Sequence, residues 1–246
     1  MRIQVELEHY HGEGEIVLPI HYNRLIQGMI YSLIRERSPE IHDTGFVWGK
    51  RTFRLFVFSR LYGKIKSVKN GTIVFQPPVM LKVSSPIENF LSALADGFSH
   101  VEKISLGNNA VRSSSVIFAP TPNFTEKETF KAISPVSIYS TLTTPGGAKK
   151  TYYYHPQEKE FAEKLQSNLL KKAELLGLEN AQERCFEVDS IRTRNTDQKV
   201  VYYKNFVVKG WMGIYTLKGD PELLKVAYTC GIGSKNSQGF GMLDLV

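Results

Sequence analysis

Tyr31, His42 and Lys50 are the residues whose types and spacing could move a proton beside a phosphate. A histidine titrating near ~6.5 exchanges its proton close to neutral pH, as cleaving RNA through its own 2′-hydroxyl requires. A phenol can stack or donate. The three come from a helix, the loop after it and the start of a hairpin, so a small domain can bring them together. On the same helix, at ~100° per residue, Arg24, Tyr31 and Arg35 project within one arc nearly opposite the apolar stripe. An exposed tyrosine between two arginines suits a ribose-phosphate strand.

Two further clusters point to a polyanion. Between Asp43 and Glu88 there is no acidic residue, whereas Lys50, Arg51, Arg54, Arg60, Lys64, Lys66, Lys69 and Lys82 all fall in that window. A run this one-sided marks a phosphate-tracking surface. Near the C-terminus stands GIGSKNSQGFGM, Gly231 to Met242. It lacks the Gly-Lys-Ser/Thr ending of a P-loop and does not open a helix after a first strand, as a dinucleotide fingerprint would. Its glycines, Gly231, Gly233, Gly239 and Gly241, allow main-chain N–H groups to approach a phosphate closely, while Lys235 adds charge and Asn236 is a candidate contact. A tight turn would need one or two glycines rather than four, so ligand contact is expected. A bulky residue at Gly233 or Gly239 should then weaken binding more than folding.

Metal chemistry has little support. His9 and His11 share one side of an extended strand but have no third ligand in view, and loop histidines are the expectation. Cys185 and Cys230 lie in no Cys-x-x-Cys or Cys/His cluster, which argues against a structural zinc and a disulfide framework.

The elements that must hold these residues follow from periodicity. Residues 2 to 8 alternate as a half-buried strand, and Tyr22, Leu25, Ile26, Met29, Ile30, Leu33 and Ile34 give a helix over 21–36. Two β-rich runs, 52–61 and 72–83, flank a hairpin turn at Asn70-Gly71. A capping box, Ser85 to Glu88, opens the next helix, and a strand near 111–118 completes the order βαββαβ. Pro120 to Asn123 read as a linker. The order then repeats: strand 129–142, a Pro145-Gly146-Gly147 turn, helix 157–176, strands 185–193 and 200–214, a short helix opened by Asp220-Pro221, and strand 240–245. The expected class is α+β, two tandem ferredoxin-like (RRM-like) domains, 1–122 and 123–246, the second carrying the glycine-rich loop.

Composition agrees. With 246 residues and 42% hydrophobic content the chain can bury an ordinary core. A net charge of +7 favours a polyanionic partner through counterion release. The longest apolar stretches fall short of the ~20 residues needed to cross a bilayer, and Glu6 and Glu8 stand where a signal peptide would be apolar, so a cytoplasmic location is expected.

Taken together, the segment QGMIYSLI (residues 27–34), the loop histidine after it, the basic hairpin and above all GIGSKNSQGFGM resemble the CRISPR-associated repeat-RNA endoribonucleases. These form a branch of the CRISPR RNA-binding superfamily of tandem ferredoxin-like proteins. The resemblance implies binding of precursor CRISPR RNA at its repeats and one metal-independent, cofactor-free cut in each, leaving a 2′,3′-cyclic phosphate. It maps the family's catalytic tyrosine, histidine and lysine onto Tyr31, His42 and Lys50. The histidine's position varies among members, which keeps His21 and His155 in reserve. Other CRISPR-associated proteins are possible partners. No strand carries the aromatic RNP1 pattern, so RNA is expected along the basic hairpin, the inter-domain groove and the glycine loop. The main rival is a scaffold of the same fold that holds processed RNA without cutting. A DNA-binding regulator fits the charge, but no helix-turn-helix is present.

Overall fold

The computed structural model describes residues 1–35, 45–49 and 51–246, with the backbone alone at Arg51. His42 and Lys50 therefore lie outside the described residues.

Alternation sets the first strand. In β1 (Arg2–His9) Ile3, Val5 and Leu7 are fully buried and the residues between them are not. After β2 (Ile16–Pro19) comes α1 (Asn23–Ile34), which buries Ile26, Met29, Ile30, Leu33 and Ile34 on one face. Then follow β3 (Phe46–Trp48), β4 (Arg51–Phe53), β5 (Val57–Phe58), β6 (Tyr62–Lys69) and β7 (Thr72–Ser84). Asn70 and Gly71, at φ of 50° and 73°, close the β6–β7 hairpin with the paired positive φ that a two-residue turn requires. The first arm of that hairpin is Tyr62–Lys69, not 52–61. Residues 51–53 pair with β3 instead, and 57–58 add to the far end of β7. The helix α2 (Glu88–His100), β8 (Ile104–Leu106) and β9 (Asn109–Ala119) finish the unit. The expected capping box does not form. Ser85 Oγ accepts from the Ile87 amide at 3.1 Å and donates to the Leu55 carbonyl at 2.7 Å, so the helix starts later, at Glu88.

The strand β1 is central, pairing antiparallel with β7 and β9, and β6 lies beyond β7. Ile26, Ile30, Phe90 and Leu94 of the two helices join Ile3, Val5, Leu7 and Leu81 of the sheet in one core.

The second unit begins at β10 (Lys127–Ala132). The expected strand 129–142 is broken, because β11 (Tyr139–Thr143) leaves the sheet to pair with β12 (Lys149–Tyr153). Helix α3 (Lys159–Leu175) and β13 (Phe186–Arg192) follow, then a separate hairpin of β14 (Gln198–Tyr203) and β15 (Phe206–Trp211), and β16 (Ile214–Gly219). Asp220 caps α4 (Pro221–Cys230) as its sequence predicts, Oδ1 accepting from the Glu222 amide at 2.8 Å. The last strand is β17 (Leu243–Leu245). The sheet order is β13-β16-β10-β17, with Phe161, Leu165 and Leu169 of α3 and Leu223 and Leu224 of α4 packed into its core.

The two units meet through polar bonds as well as apolar contact. Arg2, only 2% exposed, donates to Asp244 Oδ1 at 2.8 Å and to the Leu243 carbonyl at 2.6 Å, while its guanidinium lies 3.9 Å from the Tyr228 ring centre. Lys82 reaches the other oxygen of Asp244 at 2.6 Å. Among the described residues no helix is long and apolar enough to cross a membrane.

Candidate nucleic-acid interface

Helix α1 meets the second unit through its first half, where Asn23 Nδ2 donates to the Gln238 carbonyl at 2.8 Å. Tyr31 is half-buried rather than out in solvent: its ring stands edge-on to Phe56 at 5.8 Å and packs on the first core. Arg24 and Arg35 are exposed as expected, so the arc that the sequence drew through all three residues is split, the aromatic ring having turned inward where it can shed water. Burial pushes the Tyr31 phenol above its ordinary range, against a smaller opposing effect from the hydrogen bond and charge of Arg54. The phenol thus holds its proton at neutral pH and is a donor there.

Arg54 also lines a cleft of about 670 Å³ built by both units. Residues 52–54 form one side, Ile138 and the first three residues of β11 another, the exposed face of α3 a third and residues 233–238 the fourth. Spacing on α3 explains its part, since Lys164, Asn168 and Lys171 recur every three to four residues and share one face. Among the described residues four cations, Arg54, Lys164, Lys171 and Lys235, line the cleft and no acidic residue does. Three are set against aromatic rings: Lys164 over Tyr154 at 5.3 Å, Lys171 over Trp48 at 4.7 Å and Lys235 over Tyr139 at 5.0 Å. A cleft lined by cations, with low-dielectric walls, concentrates phosphate-bearing ligands.

The glycine-rich loop is built differently from the expectation. Its glycines are buried and all four take positive φ, between 69° and 82°. A Cβ on Gly241 would stand 1.9 Å from the Ile232 carbonyl, and one on Gly239 2.4 Å from the Phe58 ring. The fold itself needs four glycines here, because Gly231 and Gly241 cross within the loop while Gly233 packs on the Ser137 carbonyl and Gly239 on Phe58 and Asn23. Asn236 is likewise internal. It donates to the Ile232 and Phe240 carbonyls at 3.0 and 2.9 Å and accepts from Lys172 at 2.7 Å. The side chains that the loop gives the cleft's rim are those of Ser234, Lys235, Ser237 and Gln238. Gln27 of α1 ties the rim to the first unit, donating to the Ser237 carbonyl at 2.7 Å and accepting from the Tyr203 hydroxyl.

The sequence reading missed three lysines of α3, the cleft-lining Lys164 and Lys171 and the internal Lys172. Lys172 is fully buried, and its Nζ donates to the Gly231 carbonyl at 2.8 Å, the Gly233 carbonyl at 3.0 Å and Asn236 Oδ1 at 2.7 Å. Burial lowers its pKa to about 8, slightly offset by Cys230. A signal was present: Lys172 falls three residues after Leu169 and seven after Leu165, on the apolar stripe of its helix.

Several other expected residues lie elsewhere. Arg60 is a bracket rather than a phosphate contact, its guanidinium stacked 3.9 Å from the Tyr22 ring and bonded to Asn23 Oδ1 and the Ile20 carbonyl. Lys64 is exposed on β6, outside the cleft, and Lys66 beside it pairs with Glu15 at 2.7 Å. His21 packs 4.9 Å from Tyr202, with burial and Arg60 lowering its pKa. His155 packs 5.5 Å from Trp211 and its Nδ1 accepts from the Gln157 amide at 3.2 Å. Neither lines the cleft. Among the described residues no three His, Cys, Asp or Glu side chains converge as a metal would need.

Comparison with known proteins fits this arrangement. Residues 119–245 match the family described as CRISPR associated protein Cas6, C-terminal. The CRISPR-associated endoribonuclease Cas6 1 of Methanocaldococcus jannaschii is 29% identical over 254 residues, covering 99% of this chain and 92% of the relative. A putative CRISPR-associated endoribonuclease-like protein, Cas6nc of Pyrococcus horikoshii, is 22% identical and covers both chains completely. Among solved structures, a CRISPR associated protein Cas6 superposes with a TM-score of 0.82 at 28% identity, over 100% of this chain and 99% of that one. The cleft, the loop that walls it and these matches along the whole length make the chain a member of the Cas6 family of CRISPR-associated proteins.

Proposed function

We propose that this protein is an endoribonuclease that binds CRISPR repeat RNA and cuts the precursor once per repeat, without metal, by attack of the 2′-hydroxyl on the adjoining phosphate. The observation that carries the reading is the cleft walled by both units and lined, among the described residues, by four cations and no acid, one hydrogen-bonded step from Tyr31 through Arg54. Its architecture is that of two ferredoxin-like halves meeting near residue 122. In support, the strand orders β9-β1-β7-β6 and β17-β10-β16-β13 are the same order, each with two helices on its sheet.

In this mechanism His42 transfers the proton of the 2′-hydroxyl or of the leaving 5′-oxygen. Tyr31, which keeps its proton, supplies its counterpart or an orienting donor, and Lys50 stabilises charge growing on the phosphate. The products are a 2′,3′-cyclic phosphate and a free 5′-hydroxyl. Acid–base help of this kind gives ~10²–10⁴ in rate and one well-placed charge donor ~10²–10³, so a slow, selective cut needs no metal.

Purified protein incubated with repeat RNA in excess chelator tests the reading. Cutting that stops with a 2′-deoxy sugar at the scissile position, and stops in His42→Ala with binding retained, is the expected result. Cleavage of the deoxy substrate would remove the mechanism. The similarity to a relative named only endoribonuclease-like favours a second reading, a scaffold that holds RNA intact, and in the same assay a scaffold would bind and never cut.

A further inference from the structure

We infer that Lys172 is a positioning residue for RNA binding: a buried ammonium that presets the glycine-rich loop as one wall of the cleft before RNA arrives. This rests on the RNA-binding reading above and adds to it the device that shapes the site.

The geometry is specific. An ammonium has three hydrogens, and Lys172 spends them on three acceptors spread along the loop, at Gly231, Gly233 and Asn236. Asn236 then carries the connection further, its amide joining the Ile232 and Phe240 carbonyls across the loop. Both arms of the loop are therefore fastened through one amide and one cation. The chain between them, Ser234 to Gln238, is what the cleft receives.

Helix α3 supplies the other half of the argument. Lys171, next in sequence, lines the cleft, while Lys172 points under the loop. One turn of helix thus carries a lysine for the ligand and a lysine for the wall, and it sets the distance between them. Buried charge without such bonds is costly, and removing one partner of such a network leaves the others unsatisfied. Three charge-assisted bonds hold in one shape a loop whose glycines leave many other backbone paths open to it.

The distinguishing consequence is in the salt dependence. A lysine that touches phosphate releases counterions, and its loss lowers the slope of log affinity against log salt by about 0.7–1. Lys172 is out of solvent and should leave that slope unchanged while raising Kd roughly tenfold through the three lost bonds. Repeat-RNA binding is measured across a salt series for the parent, K172M and K171A, with single-turnover cutting at saturating RNA and hydrogen exchange of the RNA-free proteins. The expected result is a higher Kd and an unchanged slope for K172M, a reduced slope for K171A, near-parental cutting by K172M once saturated, and faster exchange confined to residues 231–241. Parental Kd in K172M, or a slope lowered as in K171A, overturns the inference. If K172M fails to fold, K172Q, which keeps two donors, replaces it under the same criteria. No binding by the parent chain would overturn the RNA reading itself, whereas binding that K172M leaves untouched overturns the positioning role alone.

Discussion

Tyr31 offers a sharp separation of chemistry from packing. Its ring rests edge-on against Phe56 while its phenol is held protonated by burial. Tyr31→Phe should therefore fold and bind repeat RNA as before, yet cut ~10²–10⁴ more slowly in a single-turnover assay; an unchanged rate would take the phenol out of the reaction. The sequence showed that tyrosine's helix and its interest, but set it in solvent, because helical angle alone cannot tell a ring that lies outward from one folded back over the core's edge. Lys172 was half-legible for a different reason. Its place on the stripe of Leu165 and Leu169 signals burial, but its three acceptors stand about sixty residues ahead in the chain, where no local pattern reveals them. A pH effect follows from its lowered pKa. Between about 8 and the ordinary 10.5 the unfolded chain binds this proton and the folded one does not, so the lysine's contribution to stability rises with pH in that window. Cys230, the charge partner on α4, is raised to about 11 and stays neutral across most of it. Denaturant titrations at pH 7.5 and pH 10, comparing parent with K172M, should show the parent gaining relative to the variant; an equal or opposite change would contradict the assignment.

At the scale of elements, periodicity and turn chemistry carried much of the reading. The stripe of α1, the Asn70-Gly71 turn and the Asp220-Pro221 start of α4 all stand as their residues suggest. What failed were boundaries that tertiary bonding decides. Ser85 spends its hydroxyl on Leu55 and Ile87 instead of capping a helix turn, and β11 leaves its expected continuation to pair with β12. The glycine-rich loop is the instructive case. Four glycines looked like room for a ligand; each takes positive φ and packs closely on neighbouring atoms, and Gly233 also lines the cleft. Gly241→Ala should consequently destabilise the protein by at least about 1–3 kcal/mol from backbone strain alone, with the clash at Ile232 adding to it. Thermal unfolding measures this directly. A stable variant that merely binds RNA less well would return the glycine to the ligand.

For the whole molecule, the site belongs to neither unit alone. Arg54 comes from the first, Lys164, Lys171 and Lys235 from the second, and the sequence indicated the first and last of these but not the α3 pair, whose spacing is also that of an ordinary solvated helix face. Replacing Lys164 and Lys171 together by alanine should lower the salt slope of repeat-RNA binding by about 1.4–2 without a comparable loss of thermal stability. An unchanged slope would mean that RNA passes elsewhere. The guanidinium of Arg2, held by Asp244 and the Leu243 carbonyl, has a consequence of its own. It clasps the first strand of one unit to the last strand of the other. Asp244→Ala would leave Leu243 and the rest of each hydrophobic interior in place yet loosen that fastening, so the spacing of the halves, and with it the grip on a bound strand, would hang on one carboxylate at their seam.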